Sequence, residues 1–167
     1  QGSPFAIVVS NPQTFTVQVT LETQSGEVQS MPVGAGEVRT IYPQQMGVPN
    51  NRSVDHSGVS TKAYKLTTDA PVVAYQFNPL DNEKVFSNDG SLLVPRHAFD
   101  TGYYAMTWQS MKLRPQHHDY DGYVAVVAWT DGTEVEVTPS SDVRGGLGGF
   151  QAIPGGQTRT FTLNAFE

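Results

Sequence analysis

Polar and apolar residues alternate strictly in several parts of this chain. In Phe15-Thr16-Val17-Gln18-Val19-Thr20-Leu21-Glu22 the odd positions are apolar and the even ones polar. That period of two predicts a strand with one face on a core and the other in water. Thr133-Glu134-Val135-Glu136-Val137 has the same pattern, with two carboxylates on the wet face, and Phe161 and Leu163 alternate with Thr160, Thr162 and Asn164. Residues 72–77 (Val-Val-Ala-Tyr-Gln-Phe) and 123–129 are more continuous apolar runs, as expected of central strands covered on both faces. Asp131-Gly132 lies between the run ending at Trp129 and the strand beginning at Thr133. It predicts a tight hairpin with φ > 0 at both turn residues.

Helical periodicity is nearly absent. The longest stretches free of Gly and Pro are 13–25, 59–70 and 103–114. The first two are rich in Val and Thr; in the third, Tyr104, Trp108 and Met111 fall at i, i+4, i+7, which is compatible with one short helix. Segments 43–61 and 109–122 are polar and largely non-periodic, predicting long loops of a kind that tends to be functional or mobile. Gly145, Gly146, Gly148 and Gly149 make 142–149 a flexible connection.

Two blocks of the chain recur. Val8-Val9 … Thr16-Val17-Gln18-Val19-Thr20 aligns with Val126-Val127 … Glu134-Val135-Glu136-Val137-Thr138 at an offset of 126 − 8 = 118. Gly36-Glu37-Val38-Arg39-Thr40-Ile41 aligns with Gly156-Gln157-Thr158-Arg159-Thr160-Phe161 at 156 − 36 = 120. Order and spacing are preserved, the signature of a duplicated β unit. The first copy runs on far beyond Arg39, whereas the second ends soon after Arg159. The expected organisation is a first β-sandwich unit with long loops over 1–122 and the start of a second, repeated β unit over 123–167. The strands missing from the second copy would come from the continuation of a larger chain or from a neighbouring molecule. The fold class expected is all-β, an antiparallel β-sandwich.

Composition supports that class. Among 167 residues there are 20 Val and 16 Thr but only 8 Leu and 11 Ala, a bias toward side chains that suit pleated surfaces. Ten Lys+Arg against 16 Asp+Glu give a net charge of 10 − 16 = −6, with the cations scattered singly. No basic stripe exists to neutralise a phosphate backbone, so nucleic acid is not an expected partner. No run of 18 apolar residues occurs, so no membrane span is expected. Cysteine is absent, which removes disulfides, thiolate metal sites and a Cys nucleophile.

Between 63 and 108 the chain reads Ala63-Tyr64-Lys65-Leu66-Thr67-Thr68-Asp69-Ala70-Pro71-Val72-Val73-Ala74-Tyr75-Gln76-Phe77-Asn78-Pro79, then Phe86-Ser87-Asn88-Asp89-Gly90-Ser91-Leu92-Leu93-Val94-Pro95, then Tyr103 to Trp108. With the blocks at 6–12 and 126–139, this resembles the N-terminal domain of the IgG Fc-binding protein family over nearly the whole chain. That family occurs in mucin-associated animal proteins and in bacterial surface or secreted proteins, and the bacterial type is the nearer likeness. Gly90 stands where the family usually has Ala, and family domains are usually longer. The resemblance implies a secreted or surface-exposed, non-enzymatic β module for binding or adhesion. Fc binding itself, the founding activity of the animal members, is not carried over, and no ligand-contact residues are transferred.

Candidate chemistry is sparse. Asn78, Asp81, Asn82, Asn88 and Asp89 concentrate oxygen ligands between two strands and could suit Ca²⁺, although Asn and Asp serve turns equally well. No other cofactor is expected. His117, His118, Asp119 and Asp121 form the best metal-like cluster, but they lack helical i, i+4 spacing and a distant third ligand; a solvated loop is favoured. Aromatic residues gather in the second half, and most of Tyr103, Tyr104, Trp108 and Tyr123 are expected in the core. Tyr120 and Trp129 border loop and hairpin and are expected at the surface, where aromatic rings serve recognition.

Catalysis is not expected. There is no Gly-x-Ser-x-Gly elbow, and Glu134 and Glu136 share one strand face, whereas glycosidase carboxylates flank a substrate from separate elements. The function expected is recognition or adhesion toward a protein or glycan at the cell surface or outside the cell. The alternative is a structural subunit of an extracellular fibre or layer, self-assembled by strand complementation.

Overall fold

The computed structural model describes residues 5–45, 54, 56–80, 88–110 and 121–167. Nine strands are found among them: β1 Ala6–Ser10, β2 Val17–Thr23, β3 Val28–Val33, β4 Val38–Ile41, β5 Tyr64–Thr68, β6 Val73–Phe77, β7 Gly90–Leu92, β8 Thr133–Val137 and β9 Arg159–Leu163. The remaining regular pieces are single 3₁₀ turns at Pro43–Gln45, Arg96–Ala98 and Leu147–Gly149. The protein is all-β, and every strand pairing is antiparallel.

Two sheets carry the main core. One has the order β4-β1-β6-β7 and the other β3-β2-β5. Alternation puts Ile7 and Val9 of β1, Ile41 of β4 and Ala74 of β6 against Val19 and Leu21 of β2 and Val33 of β3. Leu66, Tyr64, Met31, Val72, Leu93 and Phe5 close its margins. Each fully buried aliphatic side chain contributes about 1.5–3 kcal/mol, and β-branched Val fills this interface with little rotamer entropy to lose. Phe15, read as part of the alternating face, lies in the turn before β2 and is exposed. β8 and β9 form a separate two-stranded sheet, with Val135 opposite Phe161. Phe150 stacks on Phe161 at 5.5 Å and the Arg159 guanidinium lies 5.4 Å from each ring.

The chain passes between the two main sheets three times at one end, from β1 to β2, from β3 back to β4 and from β5 to β6. Asn11 holds the first two of these crossings, and the Gln13 side chain, donating to Pro71 O at 2.9 Å, reaches the third. The Asn11 side chain is buried and its Nδ2 donates to the carbonyl oxygens of Phe15 (2.8 Å), Val33 (2.9 Å) and Gly34 (2.9 Å). Its Oδ1 accepts from the Gln13 N–H, and its own backbone N–H donates to the Glu37 carbonyl. The β3–β4 turn closes through Glu37 N–H to Gly34 O, with Gly36 at φ +67°. The second of the recurring blocks makes the same turn: Gln157 N–H donates to Pro154 O, with Gly156 at φ +77°. A left-handed residue at this position explains why both blocks keep Gly.

Three sequence expectations are corrected. Residues 123–129 form no strand, although β-branched and aromatic side chains dominate there. A strand exists only with a hydrogen-bonded neighbour, and β8 pairs with β9 instead. Asp131-Gly132 therefore makes a turn but not a hairpin between paired strands, and of the two only Gly132 has positive φ. Its groups serve the chain beyond β9: Asp131 Oδ1 accepts from Ala165 N–H and Gly132 N–H donates to Asn164 Oδ1. The helix allowed over 104–111 is absent from 103–110, and Met111 lies outside the described residues.

Two substitutions test this frame. Asn11→Ala leaves three carbonyls without their shared donor, and the expected loss is about 2–4 kcal/mol, read as a fall in the urea midpoint at unchanged slope. Gly90 sits opposite Phe77 at the sheet edge, and a Cβ there would lie 2.8 Å from the Phe77 ring. Gly90→Ala, although it installs the residue usual in the resembling family, is expected to destabilise by about 1–3 kcal/mol through overpacking. Adding Phe77→Leu should recover part of that loss in a double-mutant cycle.

Candidate recognition site

Trp129 is the centre of the best-formed cluster of functional side chains among the described residues. It is half-buried. The Lys65 Nζ lies 5.4 Å and the Arg96 guanidinium carbon 5.3 Å from the ring centroid, and Phe99 meets it edge-on at 6.3 Å. Each member has a distinct origin. Lys65 is the outward position of β5, between core-packed Tyr64 and Leu66, and pairs across the sheet with Glu22 of β2 at 3.3 Å. Arg96 and Phe99 belong to the segment leaving β7. β5 and β7 are edge strands of the two main sheets, so Trp129 occupies the open side of the sandwich. Each cation adds about 0.5–1 kcal/mol at such a position, while the half-exposed ion pair contributes at most about 1 kcal/mol.

A cleft of about 400 Å³ is lined by Gln24, Thr61, Asp131, Asn164, Ala165, Phe166 and Glu167. Gln24 is two residues from Glu22, and Asp131 is two from Trp129. Its carboxylates are partly committed to the backbone: Asp131 Oδ1 binds Ala165 N–H, and Glu167 Oε2 binds Asn164 N–H at 2.7 Å. Amides, a hydroxyl and carboxylates here, with an aromatic ring nearby, are groups that hold a sugar or a polar side chain. The volume lies within the range of small-ligand sites, roughly 300–1,000 Å³.

The other sequence candidates are distributed differently. Asn78, Asn88 and Asp89 close the β6–β7 connection: Asn78 N–H donates to Asp89 O at 2.8 Å, and Asn88 Nδ2 reaches Leu80 O at 3.4 Å. All three are exposed, and these bonds are turn chemistry. Asp81 lies outside the described residues. Of the His-Asp cluster only Asp121 is described, and its Oδ2 pairs with Arg144 Nη1 at 2.9 Å. His117, His118, Asp119 and Tyr120 fall outside the described residues. Among the described residues no group of three or more His, Cys, Asp or Glu is gathered as a metal site would need.

The expectation that most second-half aromatics are core is reversed. Tyr103, Tyr104, Trp108 and Tyr123 are exposed, Trp108 to 91%, because the segments bearing them join no sheet. Trp129, expected at the surface, is more covered than any of these four. Lys65, Arg96, Phe99, Gln24 and Asn164 were not legible as site residues. They are scattered from 24 to 164, and no local spacing links them; the one sequence hint is the opposite charge of Glu22 and Lys65 on neighbouring strands.

Residues 89–167 match the family described as IgGFc binding protein. The match takes in Arg96, Phe99 and Trp129 and the motif elements at 89–95, 103–108 and 126–139, but not those at 6–12 and 63–79. It is thus narrower than the motif likeness alone implied. No curated protein and no solved structure matches the chain.

The two tryptophans should be separable in solution. Acrylamide should quench Trp108 strongly and Trp129 weakly, and Trp108→Phe should remove most of the quenchable emission. Equal quenching of both would contradict the Trp129 cluster.

Proposed function

We propose that this chain, whose residues 89–167 match the IgGFc binding protein family, is a non-enzymatic extracellular or cell-surface recognition module that binds a protein or glycan ligand. The observation that carries the reading is the Trp129 cluster, together with the polar cleft whose Asp131 follows Trp129 by two residues in the chain. The ring offers a flat apolar face, Lys65 and Arg96 offer cationic donors, and Gln24, Asn164 and Asp131 offer directional hydrogen bonds. Such a surface suits a sugar ring bearing a carboxylate or sulfate, or an acidic loop on a protein. Lys65 is already balanced by Glu22, so Arg96 is the cation left to meet an acidic ligand. Asn78, Asn88 and Asp89 would serve only as accessory contacts, and a Ca²⁺ ion held there or at His117, His118, Asp119 and Asp121 is not needed for this reading. No helix among the described residues is long and apolar enough to cross a membrane.

A second reading, structural assembly by strand complementation, is favoured by a separate observation. Segments 103–107 and 123–127 are rich in strand-forming residues, yet their backbone groups make no bond to other described residues.

Binding to immobilised immunoglobulin Fc, to a mucin glycoprotein and to an array of neutral and acidic glycans tests the first reading. Trp129→Ala and Arg96→Glu should each weaken the ligand found by at least about tenfold, or about 1.4 kcal/mol, while the far-ultraviolet β signal is kept. Wild-type affinity in both variants would sink the site, and no binding across the three panels would sink the recognition reading.

A further inference from the structure

We propose that 103–108 and 123–127 form the interface of a homodimer, in which 103–108 of one copy adds as an antiparallel strand to 123–127 of its partner. The inference rests on the strand-complementation reading and supplies its occupant and its residues. Tyr103-Tyr104-Ala105-Met106-Thr107-Trp108 and Tyr123-Val124-Ala125-Val126-Val127-Ala128 contain no charge, no Pro and no Gly, the composition of segments that pair readily when exposed. Tyr104 is fully exposed, Met106 is exposed to 96%, and Tyr103, Tyr123, Val124, Val126 and Val127 are all exposed. The backbone N–H and C=O groups of 103–107 and 123–127 have no partner among the described residues. The two segments approach one another at Trp108 and Gly122, where the Trp108 carbonyl lies against the Gly122 α-carbon, but no ladder joins them within one chain.

Three observations select a second copy. The segments are complementary in kind, one aromatic and one β-branched, and aromatic–β-branched cross-strand pairs add about 0.2–1 kcal/mol each. A two-fold axis would make the pairing twice, once for each copy. The area is sufficient: Tyr103, Tyr104, Trp108 and Tyr123 alone offer roughly 600–1,000 Å² at about 150–250 Å² each, against the ~800 Å² per partner of a standard stable interface. Electrostatics agree as well. Each chain carries −6, and two copies repel least where they meet through uncharged segments, so added salt should strengthen the dimer by screening the remainder.

Sedimentation velocity and light scattering from about 1 to about 100 µM should show twice the 18.2 kDa chain mass, with the dimer fraction rising with concentration and salt. Amides of 103–107 and 123–127 should gain hydrogen-exchange protection over the same range. Tyr104→Lys and Val126→Lys each place a charge on an exposed position, so the fold is kept, and each should weaken dimerisation at least about tenfold. Val38→Lys, on an exposed position of β4 outside the interface, should not. A wild-type monomer at the highest concentration, larger polydisperse species, or a dimer indifferent to both Lys substitutions would overturn the proposal. Running the ligand panels on the Tyr104→Lys variant separates the two readings, since Trp129 and Arg96 are untouched there.

Discussion

The buried carboxamide of Asn11 is the constraint on which the sandwich depends. Two sheets can share a core only if the chain crosses between them, and each crossing strips backbone groups of their ladder partners. Two of the three crossings at this end fall beside Asn11, which serves Phe15, Val33 and Gly34 as donor and Gln13 as acceptor. A buried carbonyl left without a donor costs about 1–3 kcal/mol, comparable to the burial of one core Val. One short side chain thus fixes where β1 ends, where β2 begins and how β3 turns into β4. The register of Val9, Val19 and Val33 in the core follows from those positions.

The opposite side of the sandwich is organised by charge and aromatic contacts. There β5 and β7 present free edges, and natural sheets protect such edges with charges, short strands or covering segments. β7 has only three residues, β5 carries Lys65, and Trp129 lies over that side with Arg96 and Phe99 about it. These devices leave polar and cationic groups on an aromatic platform. The same arrangement that blunts a sheet edge therefore supplies the elements of a recognition surface.

The segments 103–108 and 123–127 lack any such protection. Their residues have the χ1 stiffness and ring area that favour strands, but propensity without a neighbour produces extended, unpaired chain. The small β8–β9 sheet illustrates the other outcome: the strand-forming residues of 133–137 become a strand because Arg159–Leu163 lies opposite.

Alternation of side chains was enough to locate the strands at 17–23, 133–137 and 159–163, because period-two burial is a local property of the chain, and the continuous apolar run at 72–77 located β6. The recurrence of Gly36 and Gly156 was visible in the chain, but the left-handed turn that explains it came from the structure. By contrast, the runs at 103–108 and 123–127 looked like core and are surface, and the Trp129 surroundings could not be foreseen at all. A strand's partner, a ring's cations and the lining of a cleft depend on residues brought together from distant parts of the chain. Residue pattern alone implies an all-β protein with an uncharged core and with the faces of its alternating strands assigned. Which strands pair, which aromatics are covered and which side chains meet emerge only in the folded chain, because they depend on hydrogen-bonded neighbours and packing across sheets.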